Sequence, residues 1–242
     1  MKINNPASRW ALSIRPKDRV LDVGGGNHPH PRANVIVDKY EDDDTHRNGN
    51  LKVYRHQEFI NADGESLPFE DNAFDYVICC HVMEHVPHPD QLLHELSRVS
   101  KRGYIEVPSL LGEFLAPKDS HEWVSLEIDN KIVCVRKNDI GMNQVRFDFG
   151  ELFLYQLQKQ SLAYKLLLRT EPNLMTVRYE WQDEIEVIVD PQDERLRRYF
   201  TTPWGQQQIM EQFPKRQLPK EMLDTCKAFF NLCKTYVGGF RA

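Results

Sequence analysis

The stretch V-L-D-V-G-G-G-N-H-P-H-P-R-A-N-V-I-V-D, residues 20–38, decides the fold. An apolar run that contains one acid, residues 20–23, leads directly into three glycines, and a second apolar run, residues 35–37, ends on Asp38. An open α/β sheet presents a nucleotide-like ligand at the carboxyl ends of its strands with this order of strand, glycine turn, strand and acid. We therefore predict an α/β fold with a Rossmann-like, mostly parallel sheet.

The same stretch supplies the first candidate cofactor-binding residues, which are Asp22, Gly24, Gly25, Gly26 and Asp38. Gly24 and Gly26 let the backbone turn tightly and approach a ligand at a point where a Cβ atom would collide. Asp38, at the tip of the second strand, is placed to accept hydrogen bonds from both hydroxyls of a ribose. The stretch therefore predicts a cofactor that contains a nucleoside.

The connection between the two strands is unusually short. Residues 24–34 include Pro29 and Pro31, whereas a parallel crossover normally takes a dozen or more residues, most of them helical. We therefore predict no α-helix longer than about five residues there. Pro29 also occupies the position of the third glycine in G-x-G-x-x-G, and this disfavours a nicotinamide cofactor, which needs that glycine for close packing of helix and strand.

The composition indicates a globular chain that is able to bury a core. Of the 242 residues, 40% are hydrophobic and 28% are charged, which is ordinary for a folded domain. The net charge is −5 without a basic block, so no nucleic acid is expected as a partner, because phosphate backbones are bound by clustered Lys and Arg. The N-terminal residues contain no apolar stretch long enough for a signal peptide or a membrane span. We expect a cytoplasmic protein with no membrane partner.

The five cysteines form no C-x-x-C pair, so a zinc knuckle is not expected. Cys226 and Cys233 lie seven residues apart in a helical pattern and hence on one face of a helix. We predict that this face belongs to the core.

Hydrophobic periodicity predicts the remaining elements of the chain. Strands are expected at 58–62, 74–79 and 104–107, hairpins at 124–135 and 175–189, helices at 8–14, 89–100, 149–168 and 219–236, and a polar, acidic surface loop at 40–50.

Five segments, taken in order, resemble the class I S-adenosylmethionine-dependent methyltransferases. The segments are V-L-D-V-G-G-G (20–26), V-I-V-D (35–38), N-A-D-G-E-S-L-P-F (61–69), N-A-F-D-Y-V-I (72–78) and E-L-S-R-V-S-K-R-G-Y (95–104). The similarity is to the type 11-like branch with the D-x-E-x-L-P-F signature, and it covers roughly residues 15–108. The glycine turn alone is a weak signal, whereas all five segments at this spacing are a strong one.

The resemblance implies a seven-stranded sheet whose last two strands form an antiparallel hairpin, for which residues 175–189 are the candidate. The first crossover helix is shortened, and the hairpin near 124–135 is an insertion. We expect a methyltransferase domain over residues 1–190 and a helical appendage over residues 191–242, packed on the same domain.

The resemblance also assigns roles in binding S-adenosylmethionine. Gly24 and Gly26 would line the methionine moiety and Asp38 would hold the ribose, with Asp22 and Gly25 completing the glycine turn.

Four more residues follow the later strands of the sheet. By the same resemblance, Asp63 would face the adenine amino group, with the Gly64 backbone beside the ring. Cys80 and His81 would border the transferable methyl group.

Residues 81–85 spell H-x-x-E-H, an inverted zinc-protease pattern. That pattern needs a helix to bring both histidines to one face, but here it begins where a strand ends and two prolines close it, so we predict no metal. His85, oriented by Glu84, is the first candidate for a catalytic base, followed by His81 and by His121, which lies in a loop on the substrate side of the sheet. A polar loop held by structural hydrogen bonds explains the pattern about equally well.

These observations predict an enzyme that moves a methyl group from S-adenosylmethionine to a small-molecule or saccharide acceptor by in-line displacement. The saccharide preference rests on His121 and Trp123 alone. Two alternatives stay open at this point, namely a non-catalytic module that binds S-adenosylmethionine and a nicotinamide-dependent oxidoreductase.

Overall fold

The computed structural model describes residues 1–40, 50–144 and 147–238, so most of the acidic loop expected at 40–50 lies outside the described residues. The strands are β1 (Lys2–Asn4), β2 (Val20–Val23), β3 (Val35–Asp38), β4 (Glu58–Asn61), β5 (Tyr76–Cys80), β6 (Arg102–Pro108), β7 (Trp123–Ile128), β8 (Lys131–Arg136), β9 (Thr176–Gln182) and β10 (Val187–Val189). The α-helices are α1 (Pro89–Val99), α2 (Leu110–Leu115), α3 (Leu157–Gln160), α4 (Leu162–Thr170), α5 (Glu194–Thr201), α6 (Gln206–Gln212) and α7 (Leu218–Gly238).

The main sheet has seven strands in the order β1-β9-β6-β5-β2-β3-β4. The five strands from β6 to β4 are parallel, and β9 is antiparallel to both of its neighbours. Every residue of β2, β3 and β5 is buried, as expected for central parallel strands that are covered on both faces. The predicted α/β, Rossmann-like, seven-stranded sheet is confirmed.

The predicted terminal hairpin at 175–189 is wrong. β9 pairs with β6 as expected, but its other edge is taken by β1, with Lys2 opposite Trp181. The chain therefore turns away at Asp183, which has a φ of 69°. Residues 187–189 pair in parallel with β8 in a second sheet instead. Alternating apolar residues predicted both strands correctly, but the pattern does not identify the partner of a strand.

The second sheet has the order β10-β8-β7 and contains the inserted hairpin, which is confirmed. Its turn is formed by Asp129 and Asn130, whose φ angles of 52° and 61° are those of a type I′ hairpin turn. Alternate side chains divide between two cores. Trp123, Ile132 and Cys134 pack into the core of the main sheet. The others join α5 in a second core, whose members from this hairpin are Val124, Leu126, Ile128, Val133 and Val135.

The connection between β2 and β3 contains turns and no helix, as predicted. It is held against the sheet by its own backbone, because the N–H of His30 donates to Asp22 Oδ2 at 2.7 Å and the carbonyl of His30 accepts from Gln57 Nε2 at 2.9 Å.

The N-terminal helix predicted at 8–14 is wrong, because this segment forms turns. The N–H of Ala11 donates to the carbonyl of Ser8 within one of these turns. Ser13 bonds to the sheet, because its N–H and its hydroxyl both donate to Glu180 Oε1, at 2.8 and 2.6 Å. Trp10 stacks on His30 with ring centroids 5.3 Å apart. The segment therefore packs against the glycine connection and against β9.

The chain after β10 is largely helical, as expected for residues 191–242. The helix predicted at 149–168 is broken into a π-helical turn at Glu151–Gln156 and the helices α3 and α4. The helix α7 packs against α4. The prediction that Cys226 and Cys233 face the core is wrong: both are exposed, and Ala228 and Leu232 form the buried side. The division into domains at residue 190 stays a prediction. None of the described helices combines the length and the apolar composition needed to cross a membrane.

Candidate functional site

The carboxyl ends of the parallel strands open into a cleft of about 400 Å³, which we call the strand-end cleft. This is the edge at which open α/β sheets bind their ligands. Its walls come from the glycine turn, from the residues after β3, β4 and β5, and from the loop before β7. The lining residues are Val23, Gly24, Gly26, Val37, Asp38, Lys39, Tyr40, Ala62, Asp63, Gly64, Glu65, His81, Val82, His85, Val86, Pro87, Ser120 and Glu122.

The glycine turn brings bare backbone to this cleft. Gly24 has a φ of +70°, and a Cβ atom on it would lie 2.1 Å from Val82 Cγ2, so only glycine fits there. Gly26 also has a positive φ, of 52°, and both residues line the cleft. Gly25 does not line it; a Cβ on Gly25 would meet Ile36 Cγ2 at 3.2 Å, on the sheet side.

Asp22 lies beneath the glycine turn and does not line the cleft. Its carboxylate is 1% exposed and accepts from the N–H of His30, and Arg9 Nη2 lies 3.7 Å from it. Burial raises the pKa of Asp22 to about 6, against the opposing effects of Arg9 and of the His30 N–H. Asp22 therefore supports the turn from below.

The two acids at the strand ends do reach the cleft. Asp38 accepts a hydrogen bond from the N–H of Tyr40 at 3.0 Å. Asp63 accepts from Lys39 Nζ at 2.7 Å and from the N–H of Glu65 at 3.0 Å. Burial opposes ionisation of Asp63, but the bond from Lys39 outweighs it and lowers the pKa of this carboxyl.

Cys80 is buried and does not line the strand-end cleft. Its side chain packs with Val20, Ile36 and Tyr76 on one face of the sheet, whereas Cys79 packs on the other face. Burial raises the pKa of the Cys80 thiol well above its usual value. The side chain of Cys80 therefore packs in the core of the sheet and does not border the strand-end cleft.

A second cavity, of about 370 Å³, adjoins the strand-end cleft, and we call it the side cavity. The two share His81, His85 and Ser120. The remaining lining residues of the side cavity are Glu84, Pro108, Gly112, Glu113, Ala116, Lys118, His121, Leu154, Tyr155, Met175 and Thr176. A ligand in the cleft and a ligand in the side cavity would therefore meet beside the histidines.

The three candidate histidines are arranged around Glu84, which is 1% exposed. His81 Nδ1 donates to Glu84 Oε1 at 3.1 Å, and His121 Nε2 lies 3.9 Å from the same oxygen. The rings of His85 and His121 meet edge to face with centroids 4.7 Å apart. Burial opposes ionisation of Glu84, but the histidines outweigh it, His81 first, and lower the pKa of this carboxyl.

His121 and His85 are each oriented through Nδ1. His121 Nδ1 donates to Glu113 Oε2 at 2.6 Å, and Glu113 also accepts from Lys137 Nζ at 2.6 Å. His85 Nδ1 donates to the carbonyl of Ser120 at 2.9 Å. The backbone fixes the loop as well, because the N–H of Glu122 donates to the carbonyl of Glu84 at 2.7 Å.

His81 is held differently. Its backbone has a left-handed φ of 56°, and its N–H donates to the carbonyl of Glu106 at 2.8 Å. Desolvation opposes protonation of the ring, but the bond to Glu84 and the charge of Glu106 outweigh it and raise the pKa of His81. His81 therefore stands at the junction of the two cavities with a carboxylate on either side.

The structure brings His81, His85 and His121 together, but it also contains a polar network that the sequence reasoning missed. Glu84, its centre, was named only as a partner of His85, whereas Glu113 and Lys137, which extend the network, were not named. The available signal was Glu113, an acid inside the apolar run L-L-G-E-F-L (110–115) that is fully buried in the structure. A buried charge needs a partner, although the sequence does not say which one.

Comparisons with known proteins point to one family. Residues 36–105 match the family model described as "Methyltransferase domain". An uncharacterized methyltransferase of Mycobacterium tuberculosis is 36% identical over 111 residues, which are 43% of this chain and 42% of that protein. The sterol 24-C-methyltransferase of Schizosaccharomyces pombe is 33% identical over 105 residues, which are 39% of this chain and 28% of that protein.

Among solved structures, an S-adenosylmethionine-dependent methyltransferase from Mesorhizobium loti is 14% identical, with a TM-score of 0.40 over 72% of this chain and 94% of that one. The chain spans about two fifths of the length of the mycobacterial relatives it matches.

Proposed function

We propose that this chain is a class I S-adenosylmethionine-dependent methyltransferase that transfers a methyl group to a small-molecule or saccharide acceptor by in-line displacement. The observation that carries the proposal is the junction of the two cavities at His81 and His85. A donor bound at the strand ends and an acceptor bound in the side cavity would face each other there. The family match over residues 36–105 supports the nature of the donor.

The strand-end cleft fits S-adenosylmethionine. The bare backbone at Gly24 and Gly26 leaves room for the methionine end, because a Cβ at Gly24 would close it against Val82. Asp38 would accept from the ribose hydroxyls, and Asp63 with the Gly64 backbone would lie beside the adenine. When bound, S-adenosylmethionine supplies a methyl group that its sulfonium has already activated for displacement.

The side cavity has the size of a small-molecule site, since such sites range from about 300 to 1,000 Å³. It is lined by the imidazoles, by Glu84 and Glu113, and by one aromatic ring, that of Tyr155. Trp123 does not contribute, because it is 2% exposed and donates to the carbonyl of Val86. The proposed saccharide acceptor therefore rests on the polar walls and on Tyr155 instead.

The protein's contribution to the transfer is alignment and proton removal. Holding the acceptor against the donor with water excluded removes most of the entropic barrier of a bimolecular step. For a hydroxyl or amine acceptor, a base adds about 100-fold or more. His85, His81 and His121 all line the side cavity and are the candidates for catalytic residues.

Two measurements test this function. Calorimetry should show that S-adenosylhomocysteine binds, whereas NAD does not bind at a comparable concentration. Incubation with methyl-labelled S-adenosylmethionine and metabolite or sugar-nucleotide extracts should label an acceptor. Binding without labelling of any acceptor would favour the non-catalytic module, and binding of NAD alone would favour the oxidoreductase.

A further inference from the structure

We propose that Glu84, His85 and His121 bind a divalent transition-metal cation at the floor of the side cavity. A carboxylate oxygen of Glu84 and one ring nitrogen of each histidine all lie within 4.8 Å of one another. Two imidazoles and one carboxylate are the protein ligands of many catalytic zinc sites, and imidazole also suits other first-row metals. The first two ligands come from the short turn Met83–His85, and the third comes from the loop before β7.

The state of Glu84 is the second, independent sign of a ligand. Its side chain is buried, and its Oε2 makes no hydrogen bond among the described residues. A buried carboxylate oxygen without a partner is costly, because the group has lost its water and gained nothing in exchange. A cation between Glu84 and the two imidazoles would satisfy it.

The Nδ1 atoms of His85 and His121 make the kind of hydrogen bond that is typical of metal-binding histidines. A metal-binding histidine nearly always donates its other ring N–H to a carboxylate or a backbone carbonyl, which fixes the tautomer that binds the metal. His121 Nδ1 donates to Glu113, and His85 Nδ1 donates to the carbonyl of Ser120. Glu113 is itself held by Lys137, which is 4% exposed. Because both rings are held through Nδ1, the proposed cation would be bound through Nε2 of each ring.

Binding requires a small contraction. Ligand atoms at about 2.1 Å from a tetrahedral cation lie about 3.4 Å apart. The three ligand atoms already lie within 4.8 Å of one another, so binding needs them to approach one another by about 1.4 Å or less, which is the difference between the two distances. Three protein ligands leave a coordination position open, as in catalytic sites, and that position faces the side cavity, which all three residues line.

This set of ligands differs from the one that the H-x-x-E-H pattern suggests. That pattern uses its two histidines, which here are His81 and His85. In the structure His81 donates to Glu84 at 3.1 Å and lies outside the cluster. His81 is thus a neighbour of the site, and His121, from a distant part of the chain, takes its place.

The role of the cation rests on the proposed function. An acceptor hydroxyl in the open position would lose its proton more readily, because the cation stabilises the alkoxide. The proton would leave to water, the oxygen would form a bond to the methyl carbon, and the carbon–sulfur bond would break with its electron pair remaining on sulfur. The acceptor class this favours is a hydroxyl with a second oxygen beside it, since two oxygens are able to chelate one cation.

The test is metal binding by the full chain after treatment with a chelator. Zn²⁺ and Mn²⁺ are titrated by calorimetry, and Co²⁺ is titrated by its visible absorption, which reports imidazole coordination directly. One equivalent should bind. We expect His121→Ala and Glu84→Gln to weaken binding on the order of 100-fold, and Glu113→Gln, a positioning variant, by about 10–100-fold.

The control is His94→Ala, which removes an exposed histidine on α1 and should leave metal affinity unchanged. Circular dichroism and S-adenosylhomocysteine binding, which needs no metal, show that each variant is folded. His81→Asn should retain the metal. If the wild type binds none of the titrated metal ions, or if His121→Ala binds them with the affinity of the wild type, the proposed metal site is overturned. Metal binding without any methyl transfer would leave the metal site standing and overturn the function instead.

Discussion

The strand-end cleft and the side cavity share His81 and His85 but differ in most of their other walls. The cleft is walled by glycine backbone, apolar side chains and a few acids at strand ends. The side cavity is walled by charged side chains that bond to one another, with Glu113 between His121 and Lys137 and Glu84 between His81 and His121. The strand-end cleft is therefore suited to binding a ligand by complementary shape. The side cavity is suited to transferring a proton or binding a cation. The predictions below separate these two roles.

The largest effect on stability is expected at Gly24, where the shape of the cleft depends on the absence of a side chain. Gly24→Ala should destabilise the fold by about 2–5 kcal/mol, adding left-handed strain of about 1–2 kcal/mol to overpacking of about 1–3 kcal/mol against Val82. Binding of S-adenosylhomocysteine should be lost with it. Denaturant unfolding and calorimetry measure the two effects.

Gly141→Ala is the matched control, because Gly141 has a φ of +71° and an added Cβ would have no described atom within 4 Å of it. It should show the backbone strain without the clash. Equal effects of the two substitutions would mean that the close approach of Val82 does not shape the cleft.

Asp22, beneath the glycine turn, and Glu95, on α1, should change the stability of the fold with pH in opposite directions. The pKa of Asp22 is raised to about 6, so the folded chain binds this proton more tightly than the unfolded chain does. Relative to Asp22→Asn, the wild type should therefore lose about 3 kcal/mol of unfolding free energy as the pH rises from about 4 to about 6. Denaturant titrations at several pH values measure the difference.

Glu95→Gln should show the opposite sign. The hydrogen bond from Arg98 lowers the pKa of Glu95, so its contribution to stability is present above the ordinary pKa and is lost as the pH falls below it. A flat difference between wild type and Asp22→Asn would mean that Asp22 stays ionised in both states.

The rate of methyl transfer should depend on the histidines of the side cavity. His85→Asn and His121→Asn should each slow single-turnover methylation by ~100-fold, whether the ring takes a proton or binds a cation. The affinity for S-adenosylhomocysteine should stay within about twofold, since the polar network of the side cavity is separate from the glycine turn and from Asp38. His94→Asn, on the surface of α1, is the control. If cofactor affinity falls together with the rate, the histidines shape the cleft and the division of roles fails.

The cleft was largely predictable because its signals are local. The glycine turn, the acids at the strand ends and the buried central strands each occupy a few consecutive residues, and parallel strands bring their carboxyl ends to one edge without further information. Cys80 shows the limit: alternation places it and Cys79 on opposite faces, but does not say which face the cleft adjoins.

The side cavity was not predictable because long-range contacts assemble it. His121 reaches Glu84 because the N–H of Glu122 bonds to the Glu84 carbonyl, and this contact has no local signature. The same holds for residues 187–189, whose partner depends on β1 having filled the edge of β9. Local patterns predict elements, whereas pairing across the chain decides which polar groups meet.

The smallest effect, and the sharpest test of the cleft, is at Asp38. Asp38→Ala should weaken S-adenosylhomocysteine binding by about 1–3 kcal/mol, because the two ribose hydroxyls would lose a charged acceptor. Stability should change less, since in the described residues Asp38 accepts from the N–H of Tyr40 at the rim of the cleft. Asp90→Ala, an exposed acid in the first turn of α1, controls for the change in net charge. Unchanged affinity in Asp38→Ala would place the ribose elsewhere and leave the glycine turn and the residues around Asp63 to hold the cofactor.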